Sequence, residues 1–252
     1  MNNCIYNFAT VAFLVVKHGG KAIYEHKKGF SSEEISKNVQ NFGKEAIERF
    51  KINVRVYGLE NLVEGPAIMC PSHTSIIDMP SIACSIPGRK YFGAKKELFW
   101  IPILRPGLIA TGMPKIDRSN REKATKSLNE AAEMIKRESY KRKKENTAYL
   151  MIYPEGTRTR DPNYGLLPFK KGAFFLSLDS GLPIIPISSF GGLDLMPKGT
   201  LKFPKGKDRN YYLMVHSPVF PENFETPEEM LEATKFEMEL GIKFLREVSR
   251  KS

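Results

Sequence analysis

A histidine and an aspartate five positions apart are the residues of this sequence best suited to proton-transfer chemistry. His73 and Asp78 lie in the stretch Cys70-Pro71-Ser72-His73-Thr74-Ser75-Ile76-Ile77-Asp78-Met79-Pro80. In a regular α-helix, side chains five positions apart point about 140° away from each other, because each residue turns the helix by about 100°. The two side chains can therefore meet only where a turn leads into a helix.

The residues around the pair predict such a turn. The apolar run 67–70 is typical of a short buried strand, and Pro71 and Ser72 interrupt it ahead of a helix start. A carboxylate bonded to one imidazole nitrogen fixes the ring tautomer and raises the basicity of the other nitrogen. The pair thus predicts a general base with its orienting acid. The alternative is a structural histidine beside a helix-capping carboxylate.

The group that attacks is expected to come from the substrate. The sequence has no Gly-x-Ser-x-Gly elbow that could supply a serine nucleophile. A base without a protein nucleophile can instead remove the proton of a substrate hydroxyl, which then attacks directly.

A second segment has the composition of a phosphate-binding turn. The clearest buried strand pattern, 147–153, is followed by Pro154-Glu155-Gly156-Thr157-Arg158. Gly156 permits close approach of the backbone, Thr157 supplies a hydroxyl, and Arg158 offers a planar fork that suits two phosphate oxygens.

We expect this turn and the His73 turn to face one crevice, because ligands of α/β sheets gather at the carboxyl ends of the strands. Arg118 follows another strand-like piece and is a candidate second phosphate clamp beside Arg158. A solvated surface charge is the alternative for either arginine.

The order of the patterns predicts one α/β domain over 51–252, with a central mixed, largely parallel sheet flanked by helices. Strand patterns occupy 52–57, 67–70, 91–94, 147–153, 182–187 and 211–216, and helix patterns occupy 31–50, 77–85, 121–142, 169–181 and a final stretch from 226. The prolines within 182–187 favour an edge or end position for that strand. The apolar run 99–104 is expected in the core, and an apolar surface or ligand-facing wall is the alternative.

The first 50 residues predict a helical element that associates with a membrane. Residues 5–16 are apolar but fall short of the roughly 20 residues that span a bilayer. Cations follow them, which suits a helix lying in the interface of an anionic membrane. We expect a peripheral or monotopic protein on the cytoplasmic face, without a cleaved signal peptide. A helix docked on the domain core is the alternative.

Composition favours anionic partners in a reducing compartment. With 39 Lys and Arg against 28 acidic residues, the net charge is +11, which suits nucleic acid, phosphorylated substrates or anionic lipid. Three cysteines, Cys4, Cys70 and Cys84, are an odd number without metal-ligand spacing and favour free thiols. The 252 residues, 41% of them apolar, can bury one substantial core.

Taken together, these segments resemble the glycerolipid acyltransferase family, in particular its 1-acylglycerol-3-phosphate acyltransferases. Four blocks in the family's order carry the resemblance, namely Ser72–Asp78, Lys115–Arg118, Tyr153–Arg158 and Leu182–Ile187. The sequence departs from the family's usual pattern at Ser72, where Asn is common, at Ile76, where an aromatic is frequent, and at Pro114 and Lys115, where apolar residues are usual.

The resemblance implies transfer of a fatty acyl group from an acyl thioester to the free sn-2 hydroxyl of 1-acylglycerol-3-phosphate, which gives phosphatidate in phospholipid biosynthesis. Its donor substrate would be acyl-coenzyme A or acyl-carrier protein, and it implies no cofactor and no metal. The site residues that it implies are His73 and Asp78 as the catalytic pair, Arg118 and Arg158 as the phosphate clamp, and Glu155, Gly156 and Thr157 as the substrate pocket.

Several alternatives stay open at this point. The acceptor could be another lysophospholipid, glycerol phosphate or an amino-lipid, and the oligomeric state is undetermined. An acyl-enzyme on Cys70 is disfavoured because this cysteine ends a buried strand, and metal-dependent hydrolysis because the four histidines show no ligand spacing. The non-enzyme alternative is a basic nucleic-acid-binding protein, which the net charge and the basic run 141–144 suggest but which lacks a recognisable module.

Overall fold

The computed structural model describes residues 4–117, 119–140, 147–203 and 208–251. Its strands are β1 (Asn53–Tyr57), β2 (Ala67–Pro71), β3 (Arg89–Phe92), β4 (Ala94–Lys95), β5 (Lys115–Ile116), β6 (Ala148–Met151), β7 (Ile184–Phe190) and β8 (Asn210–Val215). Its α-helices are α1 (Cys4–Lys27), α2 (Ser32–Arg49), α3 (Asp78–Ser85), α4 (Arg105–Ala110), α5 (Arg121–Tyr140), α6 (Gly172–Ser180), α7 (Gly192–Leu195) and α8 (Pro227–Arg250).

Six strands form one sheet in the order β1-β8-β7-β2-β6-β3. All neighbours are parallel except β7 and β8, which are antiparallel. The two short strands β4 and β5 pair with each other, also in parallel. The expected α/β domain with a mixed, largely parallel sheet is confirmed, and β2 and β6 lie side by side within it.

Helices cover both faces of the sheet, because its strands present apolar side chains on both sides. Successive residues of β2 show this arrangement. Met69 packs into one hydrophobic cluster with Ile82 of α3, and Ile68 packs into the other with Ile135 of α5 and Phe174 of α6. The carboxyl ends of β2 and β6 are therefore held between two packed layers.

The N-terminal helices are amphipathic, and one face of each lies against the domain. Ser31 caps α2 in a capping box with Glu34. Gly43 of α2 lies so close to α3 that a Cβ there would come within 2.5 Å of the Pro80 carbonyl oxygen. Along α1, Leu14 is fully buried, whereas other apolar side chains face solvent. Whether this element associates with a membrane stays a prediction, as does its separation from the domain at residue 50.

Among the helices of the described ranges, none combines the length and the apolar character needed to cross a bilayer.

The prediction that 99–104 lies in the core is wrong. Trp100 and Ile103 expose 68% and 69% of their surface, and Ile101 exposes 42%. The segment forms a 3-10 helix and a turn leading into α4, and α4 packs against α1 where Gly107 approaches Gly19. The helix α1 thus covers α4, while Trp100, Ile101 and Ile103 face outward.

Candidate active site

His73 and Asp78 meet in the geometry that the sequence predicts. Asp78 is the first residue of α3, and residues 72–77 form the turn between β2 and that helix. The imidazole Nδ1 lies 2.9 Å from the Asp78 Oδ2 atom. Because the carboxylate can only accept, Nδ1 carries the proton of this bond and Nε2 keeps its lone pair. The ring is thus held in the tautomer that a general base requires.

Asp78 is completely buried, and donors surround its carboxylate. Its Oδ2 atom also accepts hydrogen bonds from the backbone amides of Thr74 (2.7 Å) and Ser75 (2.9 Å). Its Oδ1 atom accepts from the Thr74 hydroxyl (2.9 Å) and the Tyr211 hydroxyl (2.7 Å). These bonds compensate the desolvation of the charge and fix the carboxylate in one orientation.

The backbone of His73 is held on both sides by the segment that follows β6. Its amide donates to Glu155 Oε1 (2.7 Å), and its carbonyl accepts from the Thr159 amide (2.8 Å). The turn formed by Gly156, Thr157 and Arg158 therefore lies directly beside the histidine, so the two turns do share one crevice.

Glu155 lies inside the protein rather than along a substrate surface. Its side chain is 3% exposed, and its second oxygen accepts from the Leu167 amide (3.0 Å). Burial raises the pKa of this carboxyl to about 7, although the two amide bonds act in the opposite direction. In this position Glu155 orders the backbone of His73 and of the loop after the turn.

Gly156 and Arg158 have the environments expected of a ligand-binding turn. Gly156 has a φ of +68°, in the left-handed region that favours glycine. The Arg158 side chain is partly exposed and forms no ion pair with a carboxylate of the described ranges. Arg118, the other predicted clamp residue, lies outside the described residues, as does the basic run 141–144.

Tyr153, for which the sequence motifs predict no role, lies against the His73–Asp78 pair. Its ring stacks on the His73 imidazole with centroids 4.1 Å apart and planes inclined by 30°. Tyr153 belongs to the block 153–158 that resembles the acyltransferase family, but only the three-dimensional structure shows this contact.

Two cavities meet at Tyr153 and Gly93, which line both of them. The first, of about 370 Å³, is mainly apolar and lies between α2, α4 and the carboxyl end of β3, where Val39, Phe92 and Leu108 line it. The second, of about 330 Å³, reaches the phosphate-binding turn, where Gly156 and Lys170 line it. One apolar space and one partly polar space thus adjoin the tyrosine that stacks on His73.

A buried cysteine and two further histidines occupy positions typical of structural side chains. Cys70 is fully buried, and desolvation raises the pKa of its thiol far above the usual range, which disfavours a thiolate nucleophile. His216 is buried with its Nε2 atom 2.8 Å from the Ser188 hydroxyl, and burial lowers its pKa to about 4. His18 bonds Glu45 at 2.9 Å. Among the described residues, no group of three or more His, Cys, Asp or Glu side chains could hold a metal ion.

Comparison with known proteins identifies the class to which this fold and site belong. A sequence model of the acyltransferase family matches residues 53–189, which include His73, Asp78 and the turn at 156–158. The chain therefore belongs to the acyltransferase family of enzymes.

Individual relatives are similar over part of their length. The chain is 35% identical over 136 residues to the 1-acyl-sn-glycerol-3-phosphate acyltransferase of Saccharomyces cerevisiae, covering 54% of this chain and 42% of the relative. The enzyme of the same name from Escherichia coli is 35% identical over 123 residues, which cover 49% and 46% of the two chains. The matched region thus spans less than half the length of these two relatives.

A solved structure is similar along almost the whole chain. The crystal structure of the 1-acyl-sn-glycerophosphate (LPA) acyltransferase PlsC from Thermotoga maritima aligns with a TM-score of 0.78 and 25% sequence identity. The alignment covers 96% of this chain and 94% of that one. The likeness therefore extends beyond the region of the family match and includes the N-terminal helices.

Proposed function

We propose that this protein transfers a fatty acyl group from an acyl thioester to the sn-2 hydroxyl of 1-acylglycerol-3-phosphate, giving phosphatidate. The observation that carries the proposal is the 2.9 Å bond between His73 Nδ1 and Asp78, in which Nε2 takes no part, at a residue whose backbone is hydrogen-bonded on both sides of the turn at 156–158. The names of the relatives support lysophosphatidate as the acceptor.

In the proposed reaction, the Nε2 atom of His73 removes the proton from the acceptor hydroxyl. The resulting oxygen nucleophile attacks the thioester carbonyl, and a tetrahedral intermediate forms. When this intermediate collapses, the carbon–sulfur bond breaks and the imidazolium returns its proton to the departing thiolate. Asp78 stabilises the imidazolium through the Nδ1 bond, and Arg158 is proposed to hold the acceptor phosphate, with Arg118 as its proposed second clamp.

The apolar cavity is proposed to take a fatty acyl chain. Its lining residues Val39, Phe92 and Leu108 are aliphatic or aromatic, and its boundary at Tyr153 adjoins the His73 ring. An acyl chain placed there would bring its carboxyl carbon toward the base while the chain is removed from water. We propose acyl-coenzyme A or acyl-carrier protein as the donor, since either carries an anionic phosphopantetheine arm that suits a basic protein.

Transfer of a labelled acyl group tests the proposed function directly. The full-length protein is incubated with lysophosphatidate and either acyl-coenzyme A or acyl-carrier protein, over a series of chain lengths. Formation of phosphatidate with either donor supports the proposal and identifies the donor. If folded, lipid-bound protein forms no phosphatidate, lysophosphatidate is not the acceptor, and other lysophospholipids, glycerol phosphate and amino-lipids become the acceptors to test.

We further propose that the protein works as a peripheral or monotopic enzyme on the cytoplasmic face of a membrane. Exposed apolar side chains occur on both α1 and 98–109, and the two segments meet where α4 packs against α1. The exposed residues of the two segments are Ile5, Tyr6, Phe8, Phe13, Val16, Tyr24, Leu98, Trp100, Ile101, Ile103 and Ile109. A surface of this kind beside the mouth of an apolar cavity would let a lipid substrate enter without crossing water.

Replacing Trp100 and Ile103 together with serine is expected to weaken binding to vesicles of equimolar phosphatidylglycerol and phosphatidylcholine about tenfold or more. Each side chain would otherwise transfer apolar surface into the interface, worth about 1.5–3 kcal/mol if fully buried. Vesicle flotation measures the bound fraction. Phe236→Ser is the matched control, since Phe236 is 59% exposed on α8. Equal weakening by the control, or none by the double variant, would contradict the proposed membrane surface.

Tyr153→Phe is expected to leave kcat within about twofold of the wild type and the free energy of unfolding equal or slightly higher. The phenylalanine keeps the stack on His73, and the lost hydroxyl is buried without a hydrogen-bond partner among the described residues. Tyr153→Leu is expected to lower kcat several-fold, because the imidazole loses an aromatic contact worth about 0.5–1.5 kcal/mol. Steady-state kinetics and urea unfolding measure both effects. A large loss of kcat in Tyr153→Phe would show instead that the hydroxyl takes part in catalysis.

A further inference from the structure

Two lysines outside the four sequence blocks that resemble the acyltransferase family point at the turn formed by Gly156, Thr157 and Arg158. The Lys198 ammonium donates a 2.7 Å hydrogen bond to the Thr157 hydroxyl. The Lys170 side chain crosses Gly156 so closely that a Cβ there would meet its Cε at 3.0 Å and its Nζ at 3.2 Å. Two lysine side chains thus reach a turn that itself carries the cationic residue Arg158.

None of the three cations forms an ion pair with a carboxylate in the part of the chain that the structure describes. Many other cations do, and those with such pairs include Lys17, Lys21, Arg49, Arg89, Lys96, Lys136, Lys171 and Lys235. The contrast is sharpest between neighbours, since Lys171 pairs with Glu228 while Lys170 points to Gly156. Three such positive charges beside a phosphate-binding turn favour an anion of more than one charge.

The loop that carries Lys198 is anchored to the His73 turn. The Ser75 hydroxyl of the His73 turn donates a 2.6 Å hydrogen bond to the carbonyl of Met196, a fully buried residue two positions before Lys198. Gly192 packs so closely on the same turn that a Cβ there would come within 2.2 Å of the Thr74 hydroxyl. The loop that carries Lys198 is therefore held in register with the catalytic pair.

We propose that Lys198 and Lys170 complete, together with Arg158, a binding site for the phosphate monoester of the acceptor lipid. This inference rests on the proposed function and assigns it two further substrate-binding residues. A phosphate monoester carries up to two negative charges and three free oxygens, which match three cationic side chains. A lysophospholipid with an ammonium headgroup would place a positive charge among these cations, so the same residues would select against it.

The turn at 156–158 lies close to His73, and this proximity favours binding of the acceptor's phosphate rather than a phosphate of the donor. Glu155 and Thr159 bond the backbone of His73 on either side, so the residues between them lie close to the reacting hydroxyl. In the acceptor, only two carbons and an ester oxygen separate that hydroxyl oxygen from phosphorus. In coenzyme A or carrier protein, the whole pantetheine arm separates the thioester from the nearest phosphate.

Glutamine variants of the two lysines test the proposal, because glutamine keeps much of the side chain's length and removes its charge. Lys198→Gln and Lys170→Gln are each expected to raise the apparent KM for a short-chain lysophosphatidate about tenfold, consistent with loss of a charged hydrogen bond. We expect kcat to change less than about threefold and the KM for the acyl donor to stay unchanged. Lys198→Arg should restore most of the affinity, and the preference over lysophosphatidylethanolamine should fall about tenfold in both glutamine variants.

Calorimetric binding of 1-hexanoyl-lysophosphatidate without donor separates this inference from the proposed function. Both glutamine variants should bind about tenfold more weakly, whereas the control Lys202→Gln, an exposed lysine on the Lys198 loop, should bind like the wild type. Unchanged KM and Kd in an active enzyme would overturn the inference, and so would a rise confined to the donor's KM. If the wild type forms no phosphatidate but the glutamine variants bind lysophosphatidate more weakly than it does, the proposed reaction is refuted and the proposed phosphate site is still supported.

Discussion

Replacing His73 with alanine is expected to lower kcat for acyl transfer by a factor of about 10² to 10⁴, the usual contribution of a positioned general base. The variant removes the imidazole that bonds Asp78 through its Nδ1 atom. Asp78 keeps its bonds to Thr74, Ser75 and Tyr211, so the fold around it should persist. The KM for lysophosphatidate should change little, because the phosphate-binding turn is untouched. Steady-state kinetics with purified, folded protein measure both constants.

Two further experiments test whether the loss of activity results from removal of the general base. His26→Ala removes an exposed histidine at the end of α1 and should leave kcat unchanged. Added imidazole should restore part of the activity of His73→Ala, because that substitution leaves space beside Tyr153 for the free base. Activity of His73→Ala within about fivefold of the wild type would refute a role for this residue as the general base.

The geometry of the catalytic pair could be predicted from the sequence because it depends on neighbouring residues. A proline and a serine after an apolar run end β2, and the helix starts one residue after the predicted position, with Asp78 as its first residue. A spacing of five positions then leaves the turn as the place where the side chains meet. Local chain geometry and the hydrogen-bonding rules of imidazole and carboxylate were sufficient for this prediction.

The place of β7 in the sheet could not be predicted in the same way. Its prolines favour an edge or end position; Pro183 does stand directly before the first residue of β7, but Pro186 lies within a strand that runs between β2 and β8. Pro186 is tolerated because β8 ends at Val215, which pairs with Ile187, so the ladder to β8 starts just after the proline. Whether a missing N–H costs a hydrogen bond depends on where the partner strand ends, and that is a property of tertiary structure.

Several residues of the candidate site could not be predicted from the sequence, because only long-range contacts bring them there. Tyr211 bonds Asp78 from 133 positions away, and Lys198 bonds Thr157 from 41 positions away. Neither residue has a neighbour pattern that marks it, because each reaches the site through the packing of its strand or loop. The sequence predicts Glu155 in the substrate pocket, whereas its carboxylate accepts from two backbone amides, an orientation that follows only from the approach of the two turns.

The same reasoning applies to the apolar segment 99–104. Hydropathy alone predicts burial, but Trp100, Ile101 and Ile103 are exposed. An apolar sequence next to the cavity mouth has a second stable environment besides the core, which is the interior of a lipid layer. The sequence pattern does not distinguish the two environments, whereas the 68% exposure of Trp100 shows that this side chain does not lie in the core.

Asp78→Asn is expected to lower kcat by about 10² to 10³ while the protein stays folded. The backbone amides of Thr74 and Ser75 can only donate, so the new amide oxygen must take the Oδ2 position, where it still accepts from His73 Nδ1. The amide nitrogen then faces the Tyr211 and Thr74 hydroxyls, which can turn to accept. The tautomer of His73 is therefore kept, and what is lost is the negative charge that stabilises the imidazolium.

Asp78→Ala provides the contrast, because it leaves the surrounding donors buried without an acceptor and should cost about 3–5 kcal/mol of unfolding free energy. Urea unfolding of both variants separates charge loss from structural damage.

A double-mutant cycle then tests whether Asp78 acts through the histidine. In the His73→Ala background, Asp78→Asn should change kcat by less than about threefold, because there is no imidazolium left to stabilise. A further hundredfold loss in that background would show that Asp78 contributes to catalysis independently of His73.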